Sequence, residues 1–471
     1  MQERLIGRKA EQERLNEYLK TDRSEFVVVY GRRRVGKTFL VRQTIGDTAC
    51  FQMTGMENVG IIEQLTNFFL ALRKVFPSAH RPTSWLEAFD QLEQYLETLA
   101  TTTKVIFLDE LPWMDTPRSR FVSALEHFWN SWASARTDIK LIACGSAASW
   151  MLDNLINNHG GLHNRVTHQI LLKPFTLGEC QEYFDHYGFA YGKLEIAECY
   201  MAMGGIPYYL SLMDRRESVA QNIDRMLFSA TGELRAEKDN LFRSLFKHSD
   251  DYMIIVHALA SKGIGLTRGE LIEMCKLDNN ARLTKMLTEL ENCQFIRKYI
   301  PFGKNKRTEM YQLIDPFMLF AFKILDKKNY QDNNYWVNNI NSPAYNAWSG
   351  LAFEMLCLNH VPQIKKALKI EGVQTSVFCW RTPAKAEYGV QIDLLIKRAD
   401  HCVNLCEMKY SRSPYALSKS EHEKIEQRVR SFIEHTRTRD SVIVTMITAC
   451  GLARNAHTHV AQCQLQLNDL F

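Results

Sequence analysis

Short, unbroken apolar runs alternate with helical stretches along the first third of the chain. The runs "FVVVY", "KVIFLDE", "KLIACGS" and "HQILLKPF" have the length of strands buried on both faces. Helical segments stand between them, so residues 1–175 predict a parallel sheet covered by helices. Strand signals then disappear, and residues 176–240 read as a small helical lid. Residues 241–330 predict three helices, "DDYMIIVHALA", "TRGELIEMC" with Thr267 as N-cap, and "ARLTKMLTELENC". The strands "QFIRKYI" and "TEMYQLID" follow, flanking the turn "PFGKNKR". Within 340–471 the pattern returns to mixed α/β. It gives a helix at 347–360, strands at 373–381, 390–397 and 403–410, a long charged helix, and a strand at 441–448.

The predicted fold class is therefore α/β and multidomain, which suits 471 residues, too many for one ordinary core. Three helices followed by a β-wing describe a winged helix at 241–330. Apolar residues at 46% and charged residues at 24% are those of a soluble globular chain. No apolar run approaches the length that crosses a bilayer, and the charged start "MQERLIGRKAEQERL" has no signal-peptide core. A cytoplasmic chain without membrane contact is expected. Twelve cysteines without a C-x-x-C pair, and only Cys402 and Cys406 close together, predict reduced, mostly buried thiols rather than a zinc site.

The first chemical signal is "VVVYGRRRVGKTFLVRQ" at 27–43. A buried strand leads into G-x-x-x-x-G-K-T, Gly31 to Thr38, and a helix follows with Phe39, Leu40 and Val41 as candidates for its buried face. Glycines let successive N–H groups wrap an anion, and the helix dipole adds to that field. The stretch Gly31, Arg32, Arg33, Arg34, Val35, Gly36, Lys37, Thr38 and Phe39 is thus a candidate nucleotide-phosphate cradle. Lys37 would reach the β/γ-phosphates of ATP and Thr38 would ligate Mg2+. Backbone groups serve the phosphate, so the three arginines are expected to face solvent or a partner. At the end of "KVIFLDE", Asp109 is a candidate second magnesium ligand and Glu110 a candidate base for the attacking water.

These residues, with four further matches in order along the chain, resemble the archaeal-type ATPases of the AAA+/STAND group of P-loop NTPases. "LIGRKAEQERL" is similar to the group's N-terminal G-R-x-x-E, here Gly7, Arg8 and Glu11, which the resemblance places near the adenine. "LIACGSA" resembles the sensor strand and implies Ser146 near the γ-phosphate. "HNRVTHQILLKPF" implies a γ-phosphate arginine at Arg165, with Asn164 where glycine is usual. Asn also tolerates left-handed backbone. "GGIPYYL" looks like the lid G-x-P, which implies Gly205 and Pro207 beside the base.

Two further stretches bear on partners. Lys304, Lys306 and Arg307 in the wing, Arg297 and Lys298 on the strand before it, and Arg282 and Lys285 on the third helix form a basic set. Such a set fits the phosphates of duplex DNA, and equally a charged scaffold linking two domains; Glu289 and Glu291 share that helix. A net charge of +5 over the chain decides nothing.

The last stretch is "EYGVQIDLLIKRADHCVNLCEMKYSRS". Alternation puts Gln391, Asp393 and Leu395 on one face, and Glu407 and Lys409 on one face of the next strand. A hairpin symmetric about Asp400 sets Asp393 opposite Glu407, at about 4.5–5.5 Å between Cβ atoms. Opposed carboxylates repel unless a cation lies between them, so Asp393 and Glu407 are candidate metal ligands and Lys409 a candidate for orienting water. The alternative is a solvated polar ladder. The arrangement resembles the PD-(D/E)xK nuclease superfamily, with Ile392 where proline is usual, and the resemblance implies Glu354 as its first acid.

The expected function is an ATP-hydrolysing P-loop ATPase coupled to a magnesium-dependent DNA nuclease. The alternative is an ATP-driven switch that binds DNA or a protein partner, or a second copy of itself, without cleavage. A metabolic NTPase ranks third, because it leaves the winged helix and the carboxylates without a role.

Overall fold

The computed structural model describes residues 4–157, 164–305, 308–327, 334–382 and 389–471. It divides into two compact units, Met1–Pro174 and Phe175–Phe471.

In the first unit five parallel strands run Glu25–Tyr30 (β1), Ala49–Thr54 (β2), Lys104–Asp109 (β3), Ile139–Gly145 (β4) and His168–Leu171 (β5), in the order β2-β3-β4-β1-β5. β1, β3 and β4 are buried at every position, as their unbroken apolar runs require. One face packs Val27, Val29, Val105, Phe107, Ile142 and Cys144 against Leu15, Val41 and Ile45 of two helices, Lys9–Leu19 and Lys37–Ile45. The other face is aromatic: Phe26 meets Trp129 at 5.1 Å, and Phe51 meets Phe68 at 5.1 Å. Because β4 lies between β1 and β3, the loops leaving all three strands stand side by side at the C-terminal edge, where open parallel sheets hold ligands.

The second unit begins with helices Leu177–His186, Lys193–Met203 and Pro207–Ser211. Helices Ser249–Ala260, Arg268–Cys275 and Ala281–Asn292 follow, the second started by the reciprocal cap of Thr267 and Glu270. Leu266–Thr267 (β6), Ile296–Tyr299 (β7) and Met310–Leu313 (β8) form an antiparallel sheet in the order β6-β8-β7. Its C-terminal sheet comprises Thr375–Arg381 (β9), Gln391–Arg398 (β10), Cys402–Lys409 (β11), Ser441–Thr448 (β12) and Cys463–Gln466 (β13), in the order β13-β12-β11-β10-β9. β9 to β11 pair antiparallel, and β11 to β13 pair parallel. The helices Pro343–Asn359 and Lys419–Thr436 flank this sheet.

Polar bonds tie the second unit together. The Leu177 N–H donates to Nε2 of buried His360 at 3.0 Å, and Nδ1 of that ring lies 2.8 Å from Leu356 O. Burial pushes this imidazole down to about 4. Tyr410 donates to Glu198 at 2.6 Å, and Arg412 pairs with the same carboxylate at 3.2 Å. Of the twelve cysteines seven are buried and five half-buried. No helix among the described residues is long and apolar enough to cross a membrane.

Candidate functional sites

The loop after β1 takes a shape that its glycines permit. Gly31 has φ 146°, and a Cβ there would stand 2.3 Å from Leu172 O. Arg34 and Gly36 also have positive φ, at 72° and 90°. The Lys37 ammonium donates to Gly31 O at 3.0 Å and Arg32 O at 2.9 Å, folding back on its own loop. Arg8 reaches Val35 O at 3.3 Å, so the N-terminal G-R-x-x-E segment is pinned to the cradle. Arg32 departs from expectation. It is only 2% exposed, whereas Arg33 and Arg34 are half-buried. Leu40 and Val41 are buried, and Phe39 is half-buried.

Thr38 and Asp109 meet across the β1–β3 gap, the threonine hydroxyl lying 3.0 Å from both carboxylate oxygens. Burial and the neighbouring charge of Glu110 raise the Asp109 carboxyl above its usual range, and the Thr38 hydroxyl and Arg42 oppose that rise. A hydroxyl beside a buried carboxylate is a hard-oxygen pair that fits magnesium. Glu110 takes left-handed backbone, φ 49°, which turns its side chain toward Ser146. One of its oxygens accepts from the Ser146 N–H at 3.1 Å and from the hydroxyl at 2.8 Å. Asn164 does adopt left-handed φ, 56°, and Arg165 after it is exposed. Gly205 and Pro207 lie in the second unit. A Cβ at Gly205 would stand 2.0 Å from Phe175 O, and Pro207 opens its short helix at the first turn.

Sequence reasoning missed two residues here. Thr54 at the end of β2 donates to Asp109 at 3.4 Å, and Arg42 donates to Thr54 at 3.5 Å. Arg42 stands one helical turn after Thr38, a spacing that could have revealed it.

In the second unit, the β10–β11 register pairs Leu394 with Cys406 and Leu395 with Leu405, which carried one step further sets Asp393 against Glu407. Glu407 Oε1 lies 2.9 Å from Lys409 Nζ, and Oε2 lies 2.5 Å from Arg428. Gln391 donates to Asp393 at 2.6 Å. Burial first, then the Asp393 and Glu407 charges, push the Glu354 carboxyl up to about 8. Burial and Glu407 likewise raise Asp393. The four expected side chains therefore interact electrostatically as one centre, to which Arg428 is an addition with no signal beyond its charged helix.

One expectation fails. A bulge between Ile392 and Leu395 shifts the alternation of β10, so Leu395 joins Ile392, Trp380 and Phe432 in the core rather than sharing the face of Gln391. Carboxylate oxygens alone suit magnesium rather than zinc. Among the described residues no three His, Cys, Asp or Glu side chains stand ready as a complete metal cage. A cation would rest on the Asp393–Glu407 pair and on water, as magnesium commonly does.

Of the basic set Arg297 alone among the described residues is turned inward, while Arg282, Lys285 and Lys298 stay at the surface in ion pairs. Arg297 donates to Gln312 Oε1 and to Leu358 O at 3.1 Å, and so cannot face DNA. Arg282 pairs with Asp251, Lys285 with Glu289 at 3.9 Å, and Lys298 with Glu291 at 3.7 Å. Lys304 is exposed, while Lys306 and Arg307 lie outside the described residues.

Residues 5–213 match the family described as an ATPase domain predominantly from Archaea. An uncharacterized protein of Methanocaldococcus jannaschii, MJECL04, is 25% identical over 395 residues, 83% of each chain. The Walker-type ATPase PABY2304 of Pyrococcus abyssi shares the fold with a TM-score of 0.50 at 20% identity, covering 68% of this chain and 96% of that one.

Proposed function

We propose that this protein, whose residues 5–213 are an archaeal-type ATPase domain, couples ATP hydrolysis to magnesium-dependent cleavage of DNA. At the first centre Lys37 binds the β/γ-phosphates, Thr38 and Asp109 hold magnesium, and Glu110 accepts the proton of the attacking water while Ser146 fixes its carboxylate. Arg165 and Pro207 keep the roles that the resemblance implies, at the γ-phosphate and the base. Residues 241–330 act as a winged helix, and residues 340–471 as a PD-(D/E)xK nuclease-like domain. There Asp393 and Glu407 hold a magnesium ion, which when bound supplies Lewis-acid polarisation of the scissile phosphate. Lys409 orients water, and Glu354 carries a proton near neutral pH.

The observation that carries this reading is the β10–β11 register, which sets Leu394 against Cys406, one step from Asp393 and Glu407, with Lys409 2.9 Å from Glu407 and Glu354 and Asp393 lining one cavity. Paired carboxylates, with burial and the Glu407 charge raising Asp393, are a poor way to make a stable sheet and a good way to attract a divalent cation. The test is a magnesium-dependent assay on single- and double-stranded DNA, with and without ATP. Asp393→Ala should abolish cleavage while leaving the thermal unfolding profile of a folded chain.

A second reading has one observation in its favour. Both Glu407 oxygens are already engaged by cations, Lys409 and Arg428. A switch that binds DNA or a protein partner without cutting needs no more than this. Wild-type protein that binds DNA but cleaves none, under any nucleotide or metal, selects it.

A further inference from the structure

Gly263 lies against the acidic centre. A Cβ at this position would come 3.4 Å from Leu351 and 3.7 Å from the Glu354 carboxylate. The turn 261–265, between the helix Ser249–Ala260 and β6, therefore runs over the side chain that the nuclease reading needs. The Gln312 amide donates to Gly263 O, and the Tyr299 hydroxyl to Ile264 O. Gln312 is itself held by Arg297, whose guanidinium also donates to Leu358 O at 3.1 Å, on the helix that carries Glu354.

Between turn and centre is a cavity of about 20 Å3, lined by Lys262, Gly263, Gln312, Leu351, Glu354 and Asp393. That is room for about one water molecule. A phosphodiester with its two sugars does not fit. Further contacts close the cover over β9. Phe302 N–H donates to Cys379 O at 2.9 Å, Cys379 packs with Ile264 and Met310, and Arg381 pairs with Glu270 at 2.9 Å. Alongside opens a cleft of about 490 Å3 bordered by Lys304, Trp380, Arg381 and His435. The seam is thus only partly filled, which lowers the cost of parting it.

We infer that the turn 261–265 is an autoinhibitory plug, and that a DNA strand reaches Glu354 and Asp393 only when the helices Ser249–Ala260, Arg268–Cys275 and Ala281–Asn292, with the sheet β6-β8-β7, lift from β9 and the helix Pro343–Asn359. What the opened centre then does rests on the nuclease reading above. That the turn packs against Glu354 does not.

The test is carbodiimide labelling of carboxyl groups in the full chain, mapped by peptide mass, run beside cleavage of single-stranded and duplex oligonucleotides in magnesium. In the wild type Glu354 should label at least about tenfold more slowly than the exposed Glu423. Arg381→Glu sets two carboxylates against each other across the seam, and Arg297→Met removes the bond to Leu358 O. Each should raise Glu354 labelling about tenfold and raise cleavage with it, while Arg381→Lys stays like the wild type. Wild-type Glu354 labelling as fast as Glu423 overturns the plug. So does wild-type cleavage as fast as that of both release variants. Labelling that rises in the release variants with no cleavage anywhere upholds the plug and sinks the nuclease reading instead.

Discussion

Ser146 grips a single oxygen of Glu110 twice, through its backbone N–H at 3.1 Å and its hydroxyl at 2.8 Å. In the role proposed for Glu110, a base held this way is aimed before water arrives. Ser146→Ala keeps the backbone bond and loses the other. ATP turnover should fall about tenfold with KM nearly unchanged, and Ser146→Thr should restore it. Steady-state kinetics decide the matter. A raised KM at constant kcat would mean that Ser146 touches nucleotide instead of orienting Glu110.

Lys37 donates to two carbonyls of its own loop, and phosphate oxygens are its stronger partners. Lys37→Ala should weaken ATP binding at least about a hundredfold by calorimetry. The unfolding midpoint should change little, because Gly31, Arg34 and Gly36 set the loop's shape through their backbone angles.

Glu354 carries the pH dependence. Its carboxyl sits near about 8 when folded, against an ordinary 4.5. Between those values the folded chain keeps a proton that the unfolded chain has released, so its contribution to stability falls as pH rises. From about pH 6 to about pH 8 the melting transition of the second unit should drop by about 3 °C. Glu354→Gln should flatten that slope, as thermal scans across pH will show. An equally steep slope in the variant would place the titrating group elsewhere.

On the DNA-binding reading proposed above, the turn after β7, where Lys304 is exposed and carries no ion pair among the described residues, is the place for phosphate contacts. Replacing Lys304, Lys306 and Arg307 together by Ala should reduce the slope of log affinity against log salt by up to about 2.7. Arg282→Ala should leave it nearly unchanged. Anisotropy titrations over a salt series measure both, and an unaltered slope in the triple variant would remove the wing from the DNA interface.

Much of this was legible along the chain because it is local. The cradle declares itself by glycines whose positive φ no other residue holds as cheaply, and the β10–β11 register, with Leu394 against Cys406, follows from counting residues about a turn. What stayed hidden depends on contacts distant in sequence. β2 escaped notice because "ACFQMT" is buried at only two of its six positions, Phe51 and Met53, and Thr54 was lost with it. The bulge in β10 leaves no mark in a run as apolar as "DLLI". Burial of Arg32 and the internal bonds of Arg297 reverse the rule that arginines face water, and only the folded chain could reveal them. The turn over Glu354 joins positions about ninety residues apart, beyond the reach of periodicity.

The bond from Leu177 to His360 has a use of its own. An amide that donates to Nε2 requires that nitrogen to be bare, so the ring proton must sit on Nδ1, facing Leu356 O. Sealed from solvent, that proton should exchange slowly and give a sharp, far-downfield proton resonance, distinct from the exposed members among the fourteen histidines. The resonance would vanish when the helix Leu177–His186 parts from His360. The chain thus carries its own spectroscopic beacon for the joint between the helices Leu177–His186 and Pro343–Asn359.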